Sequence, residues 1–286
     1  DGVPWSDYTY PLLHLSTAYS KANEFDIIHN HLGSHYYSLY FSPFVSTPIT
    51  YTYHSSRIPE ELIPLCYKDT FVAISESMSD LMSYLPNRTI VYNGISLDRL
   101  DFSPNQGEYL VFLGRITHKK GTLDAILAAL EADVPLKIIG KIDQLNVEDK
   151  TYFDQEIKPR LEDKKIEYLG EIEHDDIGAY LRDAKAILAP IKWEEPFGLT
   201  VIEAMACGTP VIAYSRGAFP ETIISGETGF LVEPDNISAL VDAINNIKKI
   251  DRRKCRAHVE NKFTIEKMVD GYEAVYRKVI AEHKKS

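Results

Sequence analysis

Short apolar runs alternate along the chain with longer stretches whose apolar residues recur every three or four positions, the pattern of βαβ units on a parallel sheet. In the front part, residues 25–28, 49–53, 71–74 and 90–92 are predicted strands, and 11–21, 38–44, 58–66 and 76–84 are predicted helices. Residues 101–107, Asp-Phe-Ser-Pro-Asn-Gln-Gly, gather turn formers and suit an interdomain linker. A second series follows, with strands at 109–113, 136–139, 166–169, 186–189, 210–213 and 229–232 and helices at 122–131, 150–161, 177–182, 200–206 and 237–247. Within 264–284, Met268, Tyr272, Val275, Tyr276 and Val279 fall at helical spacing and predict a long amphipathic helix. The expected class is α/β, with two Rossmann-like, doubly wound parallel sheets: an N-terminal domain over 1–104 and a C-terminal domain over 105–263.

The front series is short at its start. A complete doubly wound domain opens with a strand and a tight glycine-bearing turn into a helix, whereas this chain opens with the loop-like Asp1-Gly-Val-Pro-Trp-Ser6. The N-terminal domain is therefore expected to be incomplete, with 25–28 an internal strand. Residue 1 is Asp, and the methionines are Met78, Met82, Met205 and Met268. A cleaved signal peptide and a C-terminal portion of a longer polypeptide are the two explanations.

Composition narrows the classes. A chain of 286 residues, 44% hydrophobic and 26% charged, suits one large or two medium domains. With 31 Lys+Arg against 42 Asp+Glu the net charge is −11, which argues against nucleic-acid binding and a polybasic membrane anchor, though not against a local basic pocket. No run approaches the ~18 apolar residues of a membrane span. Cys66, Cys207 and Cys255 are widely spaced with no CxxC pair, so neither a disulfide framework nor a zinc site is indicated and a reducing cytoplasm fits.

The chemistry concentrates in 193–213, Trp-Glu-Glu-Pro-Phe-Gly-Leu-Thr-Val-Ile-Glu-Ala-Met-Ala-Cys-Gly-Thr-Pro-Val-Ile-Ala, which reads as loop, helix, Gly208 stop and buried strand. Pro196 suits a helix start. The amides of Gly198 and Leu199 would open that helix and form a ready anion site. Glu195 stands before the helix and Glu203 about two turns inside it. Taken alone, Glu195 also reads as a partner of the helix dipole and Glu203 as a solvated helix residue. Upstream, Gly114-Arg-Ile-Thr-His-Lys-Lys-Gly121 joins a strand to a helix. Arg115, a planar fork, and Lys120, a compact charge, could converge there on a diphosphate, with Lys119 the weaker neighbour. Ordinary solvation of a loop is the alternative.

Glu-x7-Glu around Pro-Phe197-Gly, with its flanks, closely resembles the signature of the retaining GT-B glycosyltransferases of family GT4. The resemblance covers about residues 25–283. It implies that Arg115 and Lys120 hold a nucleotide-sugar diphosphate, that Glu195 bonds the donor sugar and Glu203 the ribose hydroxyls, and that Phe197, Gly198 and Leu199 line the donor. Ser215-Arg-Gly-Ala-Phe-Pro-Glu-Thr222 resembles the family's loop beside the donor and nominates Gly217. Gly226-Glu-Thr-Gly-Phe-Leu-Val232 resembles a structural turn and strand. In the front half, Asp26-Ile-Ile-His-Asn-His31, Thr52-Tyr-His54 and Tyr92-Asn-Gly-Ile-Ser-Leu-Asp98 match family landmarks. His54 matches the histidine placed near the transferred sugar, while His31 reads equally as a packing residue. Gly140-Lys-Ile-Asp143 stands where many members carry Gly-x-Gly; Lys141 is either a further donor-binding cation or simply exposed. By the same resemblance the two domains face a cleft, and the tail helix, within 264–286, packs back on the front domain.

The implied activity is retaining hexosyl transfer from a UDP- or GDP-sugar to an unidentified acceptor, whether sugar, glycolipid or small molecule, with Glu195, His54, Arg115 and Lys120 as catalytic residues. Metal-dependent transferases use Asp-x-Asp, which this sequence lacks, so neither metal nor cofactor is expected; the nucleotide sugar is a substrate. Peripheral membrane contact stays open. A glycoside hydrolase would need the carboxylate pair but not the cations, and a Rossmann oxidoreductase would need a Gly-x-Gly-x-x-Gly that is missing. A non-catalytic nucleotide-sugar-binding fragment, or half of a split transferase, is the remaining alternative.

Overall fold

The structure, a computed structural model, describes residues 9–32, 36–54, 58–65 and 67–285. The expected opening loop at 1–6 and the Cys66 end of the expected helix 58–66 lie outside the described residues. The chain divides into two compact units, Asp1–Tyr92 with Met268–Ser286, and Asn93–Lys267.

In the first unit, strands β1 (Ile28–Leu32), β2 (Ile49–Tyr53), β3 (Thr70–Ala73) and β4 (Arg88–Ile90) form a parallel sheet in that order. Helices α1 (Thr9–Ser20), α2 (Tyr37–Phe41) and α3 (Glu76–Leu81) lie between or before them. Strand β2 is buried along its whole length, as an inner parallel strand covered on both faces must be, and Tyr51 stacks on Phe71 across β2 and β3 with centroids 5.3 Å apart. Strand β1 begins at Ile28, where the apolar reading of 25–28 ended, and Phe25 is exposed. The expected helix at 58–66 is a 3-10 turn over Glu60–Leu65, with Pro64 inside it; proline removes a donor and clashes with the preceding turn.

The second unit carries β5 (Tyr109–Leu113), β6 (Leu136–Ile139), β7 (Ile166–Gly170), β8 (Ala184–Ala189), β9 (Val211–Tyr214) and β10 (Gly229–Val232). They form one parallel sheet, order β10-β9-β8-β5-β6-β7. Its helices are α4 (Thr122–Glu131), α5 (Val147–Tyr152), α6 (His174–Arg182), α7 (Leu199–Ala206), α8 (Phe219–Thr222), α9 (Ile237–Asn246) and α10 (Arg252–Lys262). The single helix expected over 150–161 is broken: α5 passes into a π turn at Phe153–Ile157 and a 3-10 turn at Lys158–Glu162, where Pro159 cannot supply the next helical hydrogen bond. Residues 93–104, expected in the front domain, belong to this unit. Ile95 pairs with Thr264 in an isolated bridge, and Arg256 Nη1 donates to Leu100 O at 2.8 Å.

Helix α11 (Ile265–His283) begins in the second unit and from Met268 belongs to the first. There Tyr272, Val275 and Val279, on one helical stripe, pack against Val72 and Val91.

Candidate functional site

The order of the second sheet reverses direction between β5 and β8: one half runs β5-β6-β7, the other β8-β9-β10. Loops leaving the carboxyl ends of two such neighbours diverge to opposite sides and leave a crevice, the usual ligand position in open α/β sheets. The loop after β5 is 114–121 and the loop after β8 is 190–198, so they hold the Gly114–Gly121 motif and the start of the 193–213 motif. They are tied together, because Lys192 N donates to Lys119 O at 2.8 Å. A 3-10 turn at His118–Lys120, capped by Thr117 Oγ1 accepting from Lys120 N at 3.2 Å, presents the lysine. Gly121 ends the turn at φ 74, and a Cβ there would lie 1.8 Å from Pro190 O, so this contact between the loops requires glycine.

Lys120 Nζ donates to Glu195 Oε2 at 2.6 Å. Trp193 Nε1 donates to the same oxygen at 3.0 Å, and Lys120 Nζ lies 5.3 Å from the Trp193 ring centroid. The Glu195 backbone is held from the other side: its O accepts from Ala218 N at 2.9 Å. Gly217, at φ 54, runs so close that a Cβ would stand 2.3 Å from Glu195 N and 2.4 Å from Glu195 O. Neighbouring Glu194 Oε2 accepts from Gly217 N at 2.7 Å.

A charge network braces these loops from below. Lys192 Nζ reaches Asp124 Oδ2 at 2.9 Å and Asp235 Oδ1 at 3.3 Å, and Arg216 reaches Asp235 Oδ2 at 2.9 Å. Tyr214 Oη donates to Asp124 Oδ2 at 2.7 Å. Burial pulls the Lys192 ammonium down in pKa, but its two carboxylate partners outweigh that and leave it raised.

Of the other expected site residues, Gly198 caps α7 in a left-handed conformation (φ 89), and the exposed Leu199 is the first helical residue, so Pro196 lies before the helix rather than in it. Glu203 sits half-buried within α7, its carboxyl raised in pKa by burial and only weakly opposed by His174. Phe197, expected among the donor contacts, is 2% exposed with its ring T-stacked on Phe263 at 5.8 Å, so the ring is part of the core. Arg115 is exposed and makes no side-chain hydrogen bond or ion pair among the described residues. Lys141 O accepts from Ile116 N at 3.0 Å, which places Lys141 beside the Arg115 loop, and its ammonium is an exposed 3.8 Å partner of Glu171. Cys207 and Cys255 are free and buried, and burial pushes both thiols up to about 12, far from a reactive thiolate.

In the first unit, His54 follows β2, and its Nε2 lies 3.0 Å from His31 Nδ1 with the rings stacked at 5.3 Å. His29, two residues before His31 on the same face of β1, has Nδ1 2.6 Å from Tyr276 Oη and Nε2 2.7 Å from Thr52 Oγ1. Thr52 Oγ1 is in turn 2.8 Å from Tyr272 Oη, so this cluster anchors α11 to the sheet. No group of three His, Cys, Asp or Glu among the described residues is placed to hold a metal ion.

The family described as glycosyl transferases group 1 matches residues 100–263, more than half of the chain. The chain belongs to that family. Relatives include the glycogen synthase of Mycobacterium tuberculosis, 30% identical over 193 residues, with 63% of this chain and 45% of that protein covered. The chain thus matches about half the length of that relative. Among solved structures, the sucrose-phosphate synthase of Thermosynechococcus elongatus superposes with a TM-score of 0.78, covering 98% of this chain and 81% of the other at 22% identity. HepE of Anabaena, solved in complex with UDP, superposes at 0.79, covering 92% and 82% at 19% identity. These likenesses establish the GT-B fold for this group 1 chain, with the first of its two sheets the smaller.

Sequence reasoning did not reach Trp193, Glu194 or the Lys192–Asp124–Asp235–Arg216 network. Trp193 and Glu194 stood inside the quoted stretch, but nothing local reveals that they bond Glu195 and Gly217. The network joins positions up to 111 apart, from Asp124 to Asp235, with no motif to announce it. No helix among the described residues is long and apolar enough to cross a membrane.

Proposed function

We propose that the protein is a metal-independent, retaining glycosyltransferase that moves a sugar from a UDP- or GDP-sugar to a hydroxyl-bearing acceptor. The observation that carries this reading is the Lys120–Glu195 pair at the sheet's switch point, beside the opening turn of α7. Breaking the bond from the anomeric carbon to the diphosphate leaves growing negative charge on the departing phosphate. Lys120, Arg115 and the N–H groups that open α7 supply fixed positive charge for it, which a metal ion would otherwise provide. A carboxylate accepts hydrogen bonds and donates none, so Glu195 suits the hydroxyls of the donor sugar, and Glu203 is assigned to the ribose. The role that the family resemblance gives His54, beside the transferred sugar, is kept in this proposal. So is a cytoplasmic location.

Two of the comparisons support the choice of ligand: HepE is described in complex with UDP, and also with UDP-glucose. Thermal unfolding with UDP, GDP or NAD tests the reading directly. Either UDP or GDP should raise the midpoint through binding linkage and NAD should not, and EDTA should leave nucleotide release from the donor unchanged. A midpoint indifferent to both nucleotides would remove the transferase reading.

A further inference from the structure

The geometry points to Trp193 as a positioning residue for the Lys120–Glu195 pair, an inference that rests on the nucleotide-sugar reading above for what the pair does. Each of the three side chains touches the other two. The indole Nε1–H donates to Glu195 Oε2, Lys120 Nζ donates to the same oxygen, and the ammonium stands over the indole ring. The Glu195 and Lys120 side chains are only 13% and 24% exposed, so these contacts are weakly screened.

Convergence on one oxygen has a chemical consequence. A carboxylate's terminal torsion is broad and nearly two-fold, so a single contact from lysine's flexible stem does not fix which oxygen faces outward. A second donor on a rigid ring does. The indole can only donate, and it holds Oε2 toward the protein, leaving Oε1 to accept from a hydroxyl of the donor sugar. Cation–π attraction keeps the ammonium of Lys120 on the same side. Trp193 therefore acts on the reaction through Glu195 and Lys120, without itself touching the reacting atoms.

Trp193→Phe keeps a ring under Lys120 and removes the N–H. Across a panel of UDP- and GDP-hexoses, scored by nucleoside diphosphate released, kcat should fall about 10- to 100-fold, the loss of one hydrogen bond to a charged acceptor. KM and UDP affinity should stay within about threefold, because the diphosphate's cations are untouched. In a Glu195→Ala background the same substitution should cost less than about twofold. Equal costs in both backgrounds would overturn the proposal. A measurement without substrate guards against a variant that does not fold: the Trp193 indole ¹H–¹⁵N resonance, distinguished from that of Trp5 by retention in Trp5→Phe, should shift in Glu195→Gln. An unmoved resonance overturns the assignment whichever donor is used. If instead the wild-type chain binds neither UDP nor GDP and consumes no sugar nucleotide, the transferase reading fails while the resonance still decides the placement of Trp193.

Discussion

Lys120 Nζ and Glu195 Oε2 lie 2.6 Å apart although 75 positions separate them in the chain. They meet because the loops after β5 and β8 leave adjacent strands at the point where the sheet order reverses. Lys120→Ala and Glu195→Ala should each lower release of nucleoside diphosphate from the donor by about 10²–10³, the usual cost of one preorganised group at a site of developing charge. The two should differ in binding: loss of Lys120 weakens UDP, whereas loss of Glu195 leaves UDP affinity close to wild type. Because the groups touch, the double variant should lose less than the product of the single losses. Wild-type rates in both single variants would refute the site assignment.

Gly217→Ala is expected to disturb the same site through the backbone. Its Cβ would stand 2.3 Å from Glu195 N, at a φ of 54 that a side chain adopts reluctantly. Gly226 provides the comparison, since at φ 84 a Cβ there would meet nothing within 4 Å beyond its own chain neighbours. Gly226→Ala should cost only backbone strain, about 1 kcal/mol, and leave turnover near wild type. Gly217→Ala should cost more, about 2–3 kcal/mol in denaturant unfolding, and lower turnover at least tenfold. Equal behaviour of the two variants would show that the Gly217–Glu195 contact is not required.

The plainest strands in the sequence are mostly inner ones. Residues 49–53, 109–113 and 136–139 appear as β2, β5 and β6 with the same bounds, because an inner parallel strand is a largely apolar or β-branched run. Residues 229–232 appear as β10, also with the same bounds, although β10 is an edge strand whose last three residues are only partly buried. Strand β1 was misplaced because it contains His29, Asn30 and His31, whose polarity hides it; His29 finds its partners in Thr52 and in Tyr276, 247 positions away. Helix α10 was missed because its sequence, Arg-Arg-Lys-Cys-Arg-Ala-His-Val-Glu-Asn-Lys, is mostly charged, although buried Cys255, His258 and Val259 keep helical spacing. At the candidate site, Glu195 and Lys120 were legible because each lies within a short local motif. Trp193 and Asp124 were not, since what they do depends on which loops the sheet order brings together.

His29 predicts an acid limb to stability. Burial, with His31 and His54 close by, lowers its pKa from 6.5 to about 4, so the folded first unit holds it neutral. A depressed pKa means that the stabilisation is fully present above about 6.5 and is lost as pH falls toward 4. The ring is half-buried, so the share attributable to His29 is discounted to about 1 kcal/mol. Between pH 7 and pH 4.5, wild type should lose that much more stability than His29→Asn, which cannot titrate. Parallel loss in the two proteins would show that His29 does not govern the acid limb.

Asp69 predicts the opposite slope in the same unit. The residue is 5% exposed, and burial raises its pKa from 3.8 to about 6 against the pull of Ser42 and Lys68. Ser42 Oγ donates to Asp69 Oδ2 at 2.5 Å, which is the one direct hydrogen bond to that carboxyl among the described residues. A raised pKa means that stabilisation is present below about 3.8 and is lost as pH rises through 6, so at neutral pH the carboxylate is a buried charge with too few donors. Asp69→Asn keeps an acceptor for Ser42 and removes the charge. The variant should match wild type near pH 3.5 and exceed it by up to about 3 kcal/mol at pH 8, measured as urea unfolding on both proteins. His29 acts with the reverse sign and a smaller amplitude over nearly the same window, so it should offset part of the Asp69 slope in wild type, and the two single variants should reveal the opposing contributions. If Asp69→Asn is no more stable than wild type at pH 8, the carboxylate is better solvated than its burial implies.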